Sequence, residues 1–161
     1  MLAQKLEIAL NQQVNAELWS AYLYLAMSYD MDHKGYEGMS SWFASQAQEE
    51  FAHATRIMKF IGETDGKVKL MPLDEVRQEW NSPTDAFEDT LMHEKIVTGK
   101  IHKLMDLSIE LKDYAAQNML QWFVNEQVEE EDTARKILEK LKKIENSAAG
   151  LYALDKELGN R

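Results

Sequence analysis

Four helical segments of the sequence each place a carboxylate or an amide where a helix should face a core. In the first segment, Val14, Glu17 and Ala21 follow one another at three- and four-residue steps, so Glu17 takes an inward position. The inward polar positions of the other three segments are Glu50, Glu94, Gln127 and Glu130. Ionised carboxylates are costly to remove from water and repel one another, so such a set needs compensation.

These polar positions also agree in height along a bundle of antiparallel helices. Glu17 lies about 18 residues before the first turn, and Glu50 and His53 lie about 15 and 18 residues after it, so each is roughly 22–28 Å from that turn. The same spacing is repeated around the second turn by the inward residues Glu94, Gln127 and Glu130. The sequence therefore predicts that both sets meet near the middle of the bundle.

A pair of bound divalent cations would balance the charge of the four inward acids. An oxygen-rich set with one imidazole, that of His53, suits iron or manganese better than zinc, which prefers a closed tetrahedral site. Helical bundles that hold two iron ions use one Glu from each of two helices and a Glu-x-x-His from each of the other two. Glu50 and His53 match that motif, and the second copy is altered to Gln127 and Glu130. These residues predict a site for a pair of iron or manganese ions.

Tyr24 lies one heptad after Glu17, on the same face of the first segment. From this position its hydroxyl could hydrogen-bond a metal ligand, or its ring could supply an electron. A core tyrosine with a satisfied hydroxyl is an equally good explanation of the same position.

A second acidic group adjoins the first. Glu126, Glu129 and Glu130 are three and four residues apart, where like charges destabilise a helix, and Glu49 is next to Glu50 in the second segment. A run of this kind is usually a solvated helix face. Our hypothesis is a third, weaker cation site formed by Glu49, Glu126, Glu129 and Glu130.

Composition restricts the class of protein to which these residues belong. The chain has 161 residues, of which 45% are apolar and 29% charged, as in one globular domain. It contains no cysteine, which excludes disulfides, thiol nucleophiles and cysteine-ligated metal clusters. A formal net charge of −10 argues against a nucleic-acid partner and favours attraction of cations. No apolar run approaches the length of a membrane span, so we expect no membrane partner and a cytoplasmic location.

Helical periodicity dominates the chain and predicts an all-α fold. The predicted helices cover residues 6–31, 39–61, 82–111 and 114–145, and residues 147–158 could form a short fifth helix. The roughly twenty residues between Gly62 and Ser82 show little periodicity, and we expect them to cross the length of the bundle, so that the third helix runs parallel to the second. Residues 1–145 are thus expected to form a four-helix bundle, with 146–161 a short C-terminal helix of the same domain.

Several segments of the chain resemble the bacterial non-haem ferritins, and the resemblance extends over essentially the whole length. The segments are Asn15-Ala16-Glu17-Leu18, Gln48-Glu49-Glu50-Phe51-Ala52-His53, His93-Glu94 and Gln121-Trp122-Phe123-Val124-Asn125-Glu126-Gln127-Val128-Glu129-Glu130. The ferroxidase ligands that the resemblance implies are Glu17, Glu50, His53, Glu94 and Glu130. It also implies supporting positions for Gln127 and Tyr24, and a third iron site at Glu49, Glu126, Glu129 and Glu130.

The same resemblance implies a ferritin-like bundle that stores iron. Fe(II) would be oxidised by O₂ or hydrogen peroxide at a di-iron site within one subunit, and ferric mineral would be kept inside a homo-oligomeric shell of 24 subunits. Bacterioferritins usually carry a haem-ligating Met where this sequence has Phe51, so no haem is expected. The cysteine-ligated iron module typical of rubrerythrins is absent from this sequence.

Two other classes of protein remain compatible with the residues alone. A di-iron or iron–manganese oxidase or peroxidase would use a similar site on an organic substrate, without forming mineral. A helical scaffold would keep its inward acids protonated or salt-bridged and bind no iron. Outside the site, His33, His93 and His102 lack partners at ligand spacing and are expected at the surface or in turns, and the four tryptophans are expected to pack the fold.

Overall fold

Five α-helices make up the computed structural model, which describes all 161 residues and contains no strand. They are α1 (Gln4–His33), α2 (Glu37–Glu63), α3 (Pro83–Glu110), α4 (Tyr114–Ile144) and α5 (Ala148–Leu158). α1 packs chiefly against α2, α3 packs against α4, and α5 contacts α2 and α4. The prediction of an all-α four-helix bundle with a short fifth helix is confirmed, and the helix boundaries lie within two residues of those expected.

Local sequence signals account for the turn between α1 and α2 and for the starts of α3 and α4. Gly35 has a φ of +85°, a left-handed conformation that closes the short turn between α1 and α2 and favours glycine. Ser82 caps α3 by accepting a hydrogen bond from the Asp85 N–H, with Pro83 at the first helical position. Asp113 caps α4 by accepting from the Ala116 N–H. These caps fix the ends of the helices that carry the inward acids.

The segment between α2 and α3 runs along the side of α1. Near its start, Asn11 donates to the Lys67 carbonyl and accepts from the Lys69 N–H at 2.7 Å. Near its end, the Trp80 N–H donates to Asp30, and the Trp80 ring is buried. Because these anchors lie at opposite ends of α1, the segment crosses the length of the bundle. α3 therefore starts at the same end as α2 and runs parallel to it, as predicted.

α5 is held against the start of α2 by a close backbone approach. A Cβ at Gly38 would lie 1.7 Å from the Asp155 carbonyl oxygen, so only glycine fits there. The Asp155 carboxylate accepts from the Met39 N–H, while Leu154 and Leu158 are buried in the core. No helix in this fold is both long enough and apolar enough to cross a membrane.

The apolar core is divided into two clusters. One contains Met27, Met31, Phe43, Phe87 and Leu141 among its buried members. The other contains Leu6, Leu10, Ile57, Ile101 and Leu120. Between these positions, every helix of the bundle turns a polar side chain inward, so a polar layer separates two apolar ones.

Candidate metal centre

The inward acids and their partners form the polar layer at mid-bundle. Glu17 comes from α1, Glu50 and His53 from α2, Glu94 from α3, and Gln127 and Glu130 from α4. None of these six side chains belongs to a residue more than 8% exposed. Each lies three or four residues from apolar residues of its own helix, so the helical period places it on the face that packs against the core. The predicted convergence of residues from all four helices is therefore present in the fold.

Glu17, Glu50 and His53 form what we call the histidine half of the centre. Their ligand atoms all lie within 4.8 Å of one another, and His53 Nδ1 is 3.3 Å from Glu50 Oε2. Gln13 donates to Glu17 Oε1 at 2.8 Å, whereas Glu17 Oε2 is buried without a partner. Two carboxylates and one imidazole at this spacing can contact a single divalent cation.

Glu94, Gln127 and Glu130 form the glutamine half. The Gln127 amide donates to Glu94 Oε2 at 3.1 Å, and the Tyr24 hydroxyl donates to Glu94 Oε1. Gln46 donates to Glu130 Oε2 at 2.9 Å. Both oxygens of Glu94 and one oxygen of Glu130 thus already accept a hydrogen bond from the chain.

Burial without a counter-ion disfavours the charged form of these carboxyls. It raises the pKa of Glu50 well above the ordinary value, and the nearby charges of Glu17 and Glu94 raise it further. Burial raises the pKa of Glu94 to about 7, against the opposing effect of the hydrogen bond from Tyr24. Burial and the charge of Glu94 raise the pKa of Glu130 to about 8. A cation entering the centre must therefore displace protons.

Tyr24 is fully buried and belongs to the centre through its bond to Glu94. Burial, followed by the charges of Glu94 and Glu50, raises the pKa of its hydroxyl well above the ordinary value. The phenol therefore stays protonated and acts as a donor. Its ring stacks on Phe43, with centroids 6.2 Å apart, and meets the His93 ring edge-on.

The acids expected at a third site are only partly gathered. Glu126 joins His53 and Glu130 in a second trio whose ligand atoms lie within 4.8 Å of one another. Glu49 instead accepts a hydrogen bond from the Arg161 guanidinium at 2.7 Å, and Glu129 is exposed outside both trios. His53 belongs to both trios, so it stands between the histidine half and this acidic group.

The placement of His93 at the surface was wrong. This residue is 8% exposed, and its Nε2 lies 2.7 Å from the Ser20 hydroxyl, between α1 and α3. Burial lowers the pKa of its imidazole to about 4, so the ring is neutral at physiological pH. The sequence analysis looked only for residues at metal-ligand spacing. It therefore could not reveal that His93, next to Glu94, is buried against α1. His33 and His102 are exposed, as expected.

Two glutamines of the centre were missed by the sequence reasoning. Gln13 and Gln46 are buried, and each lies one helical turn before an inward acid, Glu17 and Glu50 respectively. That four-residue offset, together with their place in the apolar stripe, is the signal that could have identified them. Both use the amide N–H to hold a carboxylate in place.

Two buried oxygens of this layer lack a hydrogen-bond donor. The buried side-chain polar atoms that lack any partner are Asn15 Oδ1, Glu17 Oε2 and Gln46 Oε1. The last two belong to side chains of the centre, whereas Asn15 lines a surface groove with Trp19 and Ile96. Leaving such an atom unpaired costs about 1–3 kcal/mol, so a site that collects them is suited to cations and their bound water.

Comparison with known proteins agrees with the metal centre that the geometry indicates. Residues 7–144 match the family described as a ferritin-like domain. The chain is 38% identical over 161 residues to a bacterial non-heme ferritin of Bacteroides fragilis, covering 100% of both chains. It is 35% identical over 158 residues to that of Escherichia coli, covering 98% of this chain and 96% of the relative. A solved structure of an open pore ferritin from the archaeon Archaeoglobus fulgidus has a TM-score of 0.99 and 46% identity, and the match covers 100% of this chain and 99% of that one.

Proposed function

The chain belongs to the ferritin-like family, and from this premise we propose that it is a ferroxidase and iron-storage protein. Fe(II) would be oxidised at the buried carboxylate centre and kept as ferric oxyhydroxide inside a closed homo-oligomer of 24 subunits. One observation carries the proposal: carboxylates from all four helices meet in a buried layer, with no lysine or arginine among the six side chains that form it. Fe(II) ions are the missing positive charge.

Iron is the substrate in this proposal, and the two halves of the centre each hold one ion. Glu17 and His53 would complete the coordination of the first ion, and Glu94 and Glu130 that of the second. Glu50 would lie between the ions, since its pKa responds to the charges of both halves. Carboxylate oxygens stabilise Fe(III) over Fe(II), which favours loss of an electron.

The oxidation balances without any further reductant. Two Fe(II) ions give one electron each, and these two electrons reduce O₂ to hydrogen peroxide or hydrogen peroxide to water, with two protons taken up. The protons displaced from Glu94 and Glu130 by the incoming ions are available at the centre. Each Fe(III) then hydrolyses to oxyhydroxide and releases three protons.

Gln127 and Tyr24 would act on this chemistry through Glu94. Their two hydrogen bonds fix both carboxylate oxygens of Glu94 and thereby set the direction from which it meets an ion. The phenol, bonded to Glu94, would also supply one electron, with loss of its proton, when the two Fe(II) ions reduce the oxidant only in part. Neither residue needs to contact the metal for these roles.

A third ion would bind at the edge of the centre. Glu126 and Glu130 are already together near His53, and Glu49 and Glu129 would complete a set of four acids. Because Glu130 borders both the glutamine half and this acidic group, it is suited to pass an ion from one to the other. Glu49 must first leave Arg161.

Assembly of acidic subunits would raise the local concentration of the substrate. Each chain carries a formal charge of −10, so a shell of many copies attracts divalent cations over long distances. The apolar side chains exposed on α1, including Tyr22, Leu25 and Tyr29, offer a surface for packing between subunits. Attraction of this kind weakens as salt is added.

An aerobic Fe(II) titration followed by size-exclusion chromatography tests the proposal. We expect rapid oxidation, iron that elutes with the protein as mineral, and the mass of a 24-subunit shell. Oxidation that depends on an organic substrate, with no iron retained, would instead indicate an oxidase or peroxidase. A protein that neither oxidises nor binds iron would be a helical scaffold, and the proposal would be rejected.

A further inference from the structure

Gln46 is a buried amide in the centre with one end unused. It lies on α2, 1% exposed, one turn before Glu50. Its Nε2 donates to Glu130 Oε2 at 2.9 Å, and its Oε1 is buried with no hydrogen-bond partner. An amide oxygen left unpaired in the buried interior is unfavourable, so its position needs an explanation.

The orientation of the amide follows from its neighbour. When a cation is bound, Glu130 is ionised and can only accept, so the Nε2–H must face it. Turning the amide over would bring its oxygen against a carboxylate oxygen and lose the bond. Gln46 Oε1 therefore points away from Glu130, at the same level of the bundle.

The amide group that carries this oxygen lies in an acidic part of the centre. The amide is bonded to Glu130, and the charges acting on Glu130 are those of Glu94, Glu49 and Glu126, all negative. No protein O–H or N–H reaches Gln46 Oε1. The group that satisfies it must bring its own donor and tolerate a negative field, which is the chemistry of water bound to a cation.

We propose that Gln46 is a positioning residue of the centre, which holds Glu130 with its amide N–H and accepts a hydrogen bond from a cation-bound water with its amide oxygen. A divalent ion makes its water more acidic and therefore a stronger donor. The same side chain thus fixes a carboxylate ligand and a water ligand of one ion. This role rests on the proposed function of the site, since it requires an ion beside Glu130.

Gln46 differs in this respect from its counterpart in the histidine half. Gln13 Nε2 also donates to a carboxylate, Glu17 Oε1, at 2.8 Å. The amide oxygen of Gln13, however, is not among the buried atoms without a hydrogen-bond partner. The asymmetry predicts an ordered water at the Gln46 side of the centre.

Anaerobic titration with Co²⁺ separates positioning from packing. Gln46→Met keeps much of the side-chain volume and removes both hydrogen bonds, and Gln48→Met makes the same change at an exposed position of the same helix. We expect Gln46→Met to bind the first Co²⁺ normally, to bind the second about tenfold more weakly (about 1.4 kcal/mol) and to change the d–d absorption spectrum. The Gln48→Met control should match the parent chain in all three respects.

A crystal structure of the parent chain soaked in Co²⁺ tests the water directly. We expect a Co²⁺-bound water within hydrogen-bond distance of Gln46 Oε1. An amide oxygen bonded to the metal itself, or a Gln46→Met variant with unchanged second affinity and spectrum, would overturn the inference. Two Co²⁺ ions bound by a parent chain that does not oxidise Fe(II) would refute the ferroxidase proposal while leaving the role of Gln46 intact.

Discussion

The two halves of the centre are built on the same helical spacing but differ in which ligand atoms they leave free. The histidine half has an imidazole and an unpaired carboxylate oxygen on Glu17, so it offers open ligand atoms. In the glutamine half an amide stands where the motif has a Glu, and both oxygens of Glu94 accept hydrogen bonds from the chain. Two differences between the copies of the motif, Gln127 in place of Glu50 and Glu130 in place of His53, thus accompany an open ligand set in one half and a hydrogen-bonded set in the other.

The difference between the halves predicts an order of filling. The histidine half offers a cation the unpaired Glu17 Oε2, whereas in the glutamine half both oxygens of Glu94 already accept hydrogen bonds from the chain. The pKa values of Glu94 and Glu130, about 7 and about 8, also mean that the glutamine half gives up protons when it fills near neutral pH. We therefore expect the first ion at Glu17, Glu50 and His53. The second ion follows once the first has lowered the cost of ionising its neighbours.

The largest effect is expected from removing the residues that the first ion needs. A Glu50→Ala, His53→Ala double variant loses one ligand trio and the carboxylate between the halves, so Fe(II) oxidation should fall to the rate of Fe(II) in buffer alone. Stopped-flow absorbance measures this rate. A Glu63→Ala, His102→Ala variant, altered at exposed positions, serves as the control and should oxidise Fe(II) like the parent chain. Rapid oxidation by the first variant would contradict the assignment of the histidine half.

A pH series tests the glutamine half without iron. Unfolded carboxyls ionise near 4.5, whereas Glu94 and Glu130 in the fold ionise at about 7 and about 8. Their raised pKa values add stability that is complete below pH 4.5 and is lost as the pH rises through 7 and 8. The melting temperature of the metal-free protein should therefore decrease as the pH is raised from 5 to 9.

The charge of the whole chain also changes over that range, so a matched variant isolates the two groups. Glu94→Gln with Glu130→Gln cannot titrate at the centre and should show a flatter curve of melting temperature against pH. Zn²⁺ added to the parent chain should release more protons at pH 6 than at pH 9, as measured by calorimetry in two buffers. Equal slopes for parent and variant would show that these carboxyls do not control the stability.

A smaller effect is expected at Tyr24. Tyr24→Phe keeps the buried ring and removes the donor to Glu94, which should lower the free energy of unfolding by about 1 kcal/mol and slow the filling of the glutamine half. Co²⁺ binding at the histidine half should be unchanged. Tyr22→Phe, at an exposed position of the same helix, is the control. If Tyr24→Phe weakened the first Co²⁺ as much as the second, the division into two halves would be wrong.

The smallest effect is expected at Arg161, outside both halves. Its guanidinium pairs with Glu49 and lies over the Trp42 ring at 4.8 Å. Such partly exposed pairs contribute about 0–1 kcal/mol, so Arg161→Ala should free Glu49 and tighten a third Co²⁺ only a few-fold. Titration beyond the first two equivalents measures it. Lys156→Ala, which also removes a cation of the C-terminal region, should leave that affinity unchanged.

Much of the centre could be predicted because helices carry a fixed period. Glu17 and Glu94 interrupt apolar stripes, and the repeated spacing places them level with Glu50 and Glu130; these patterns need only the rise per residue. Gln46 was not predicted because an amide on the apolar face of a helix has no distinctive chemistry until its partner on another helix is known. His93 was misplaced for the same reason: its burial depends on Ser20, 73 residues away in the chain.

The sequence by itself determined the helices, their order, the crossover and the level at which acids enter the core, because each follows from periodicity, caps and chain length. Only the tertiary structure decided which oxygen of each carboxylate is free and which amide holds the other. It also decided that Glu49 accepts a hydrogen bond from Arg161 instead of facing the other acids of the predicted third site. The physical reason is range. Helical period and capping act within a few residues, whereas hydrogen-bond partners and desolvation in a core are set by side chains that meet only after the helices have packed.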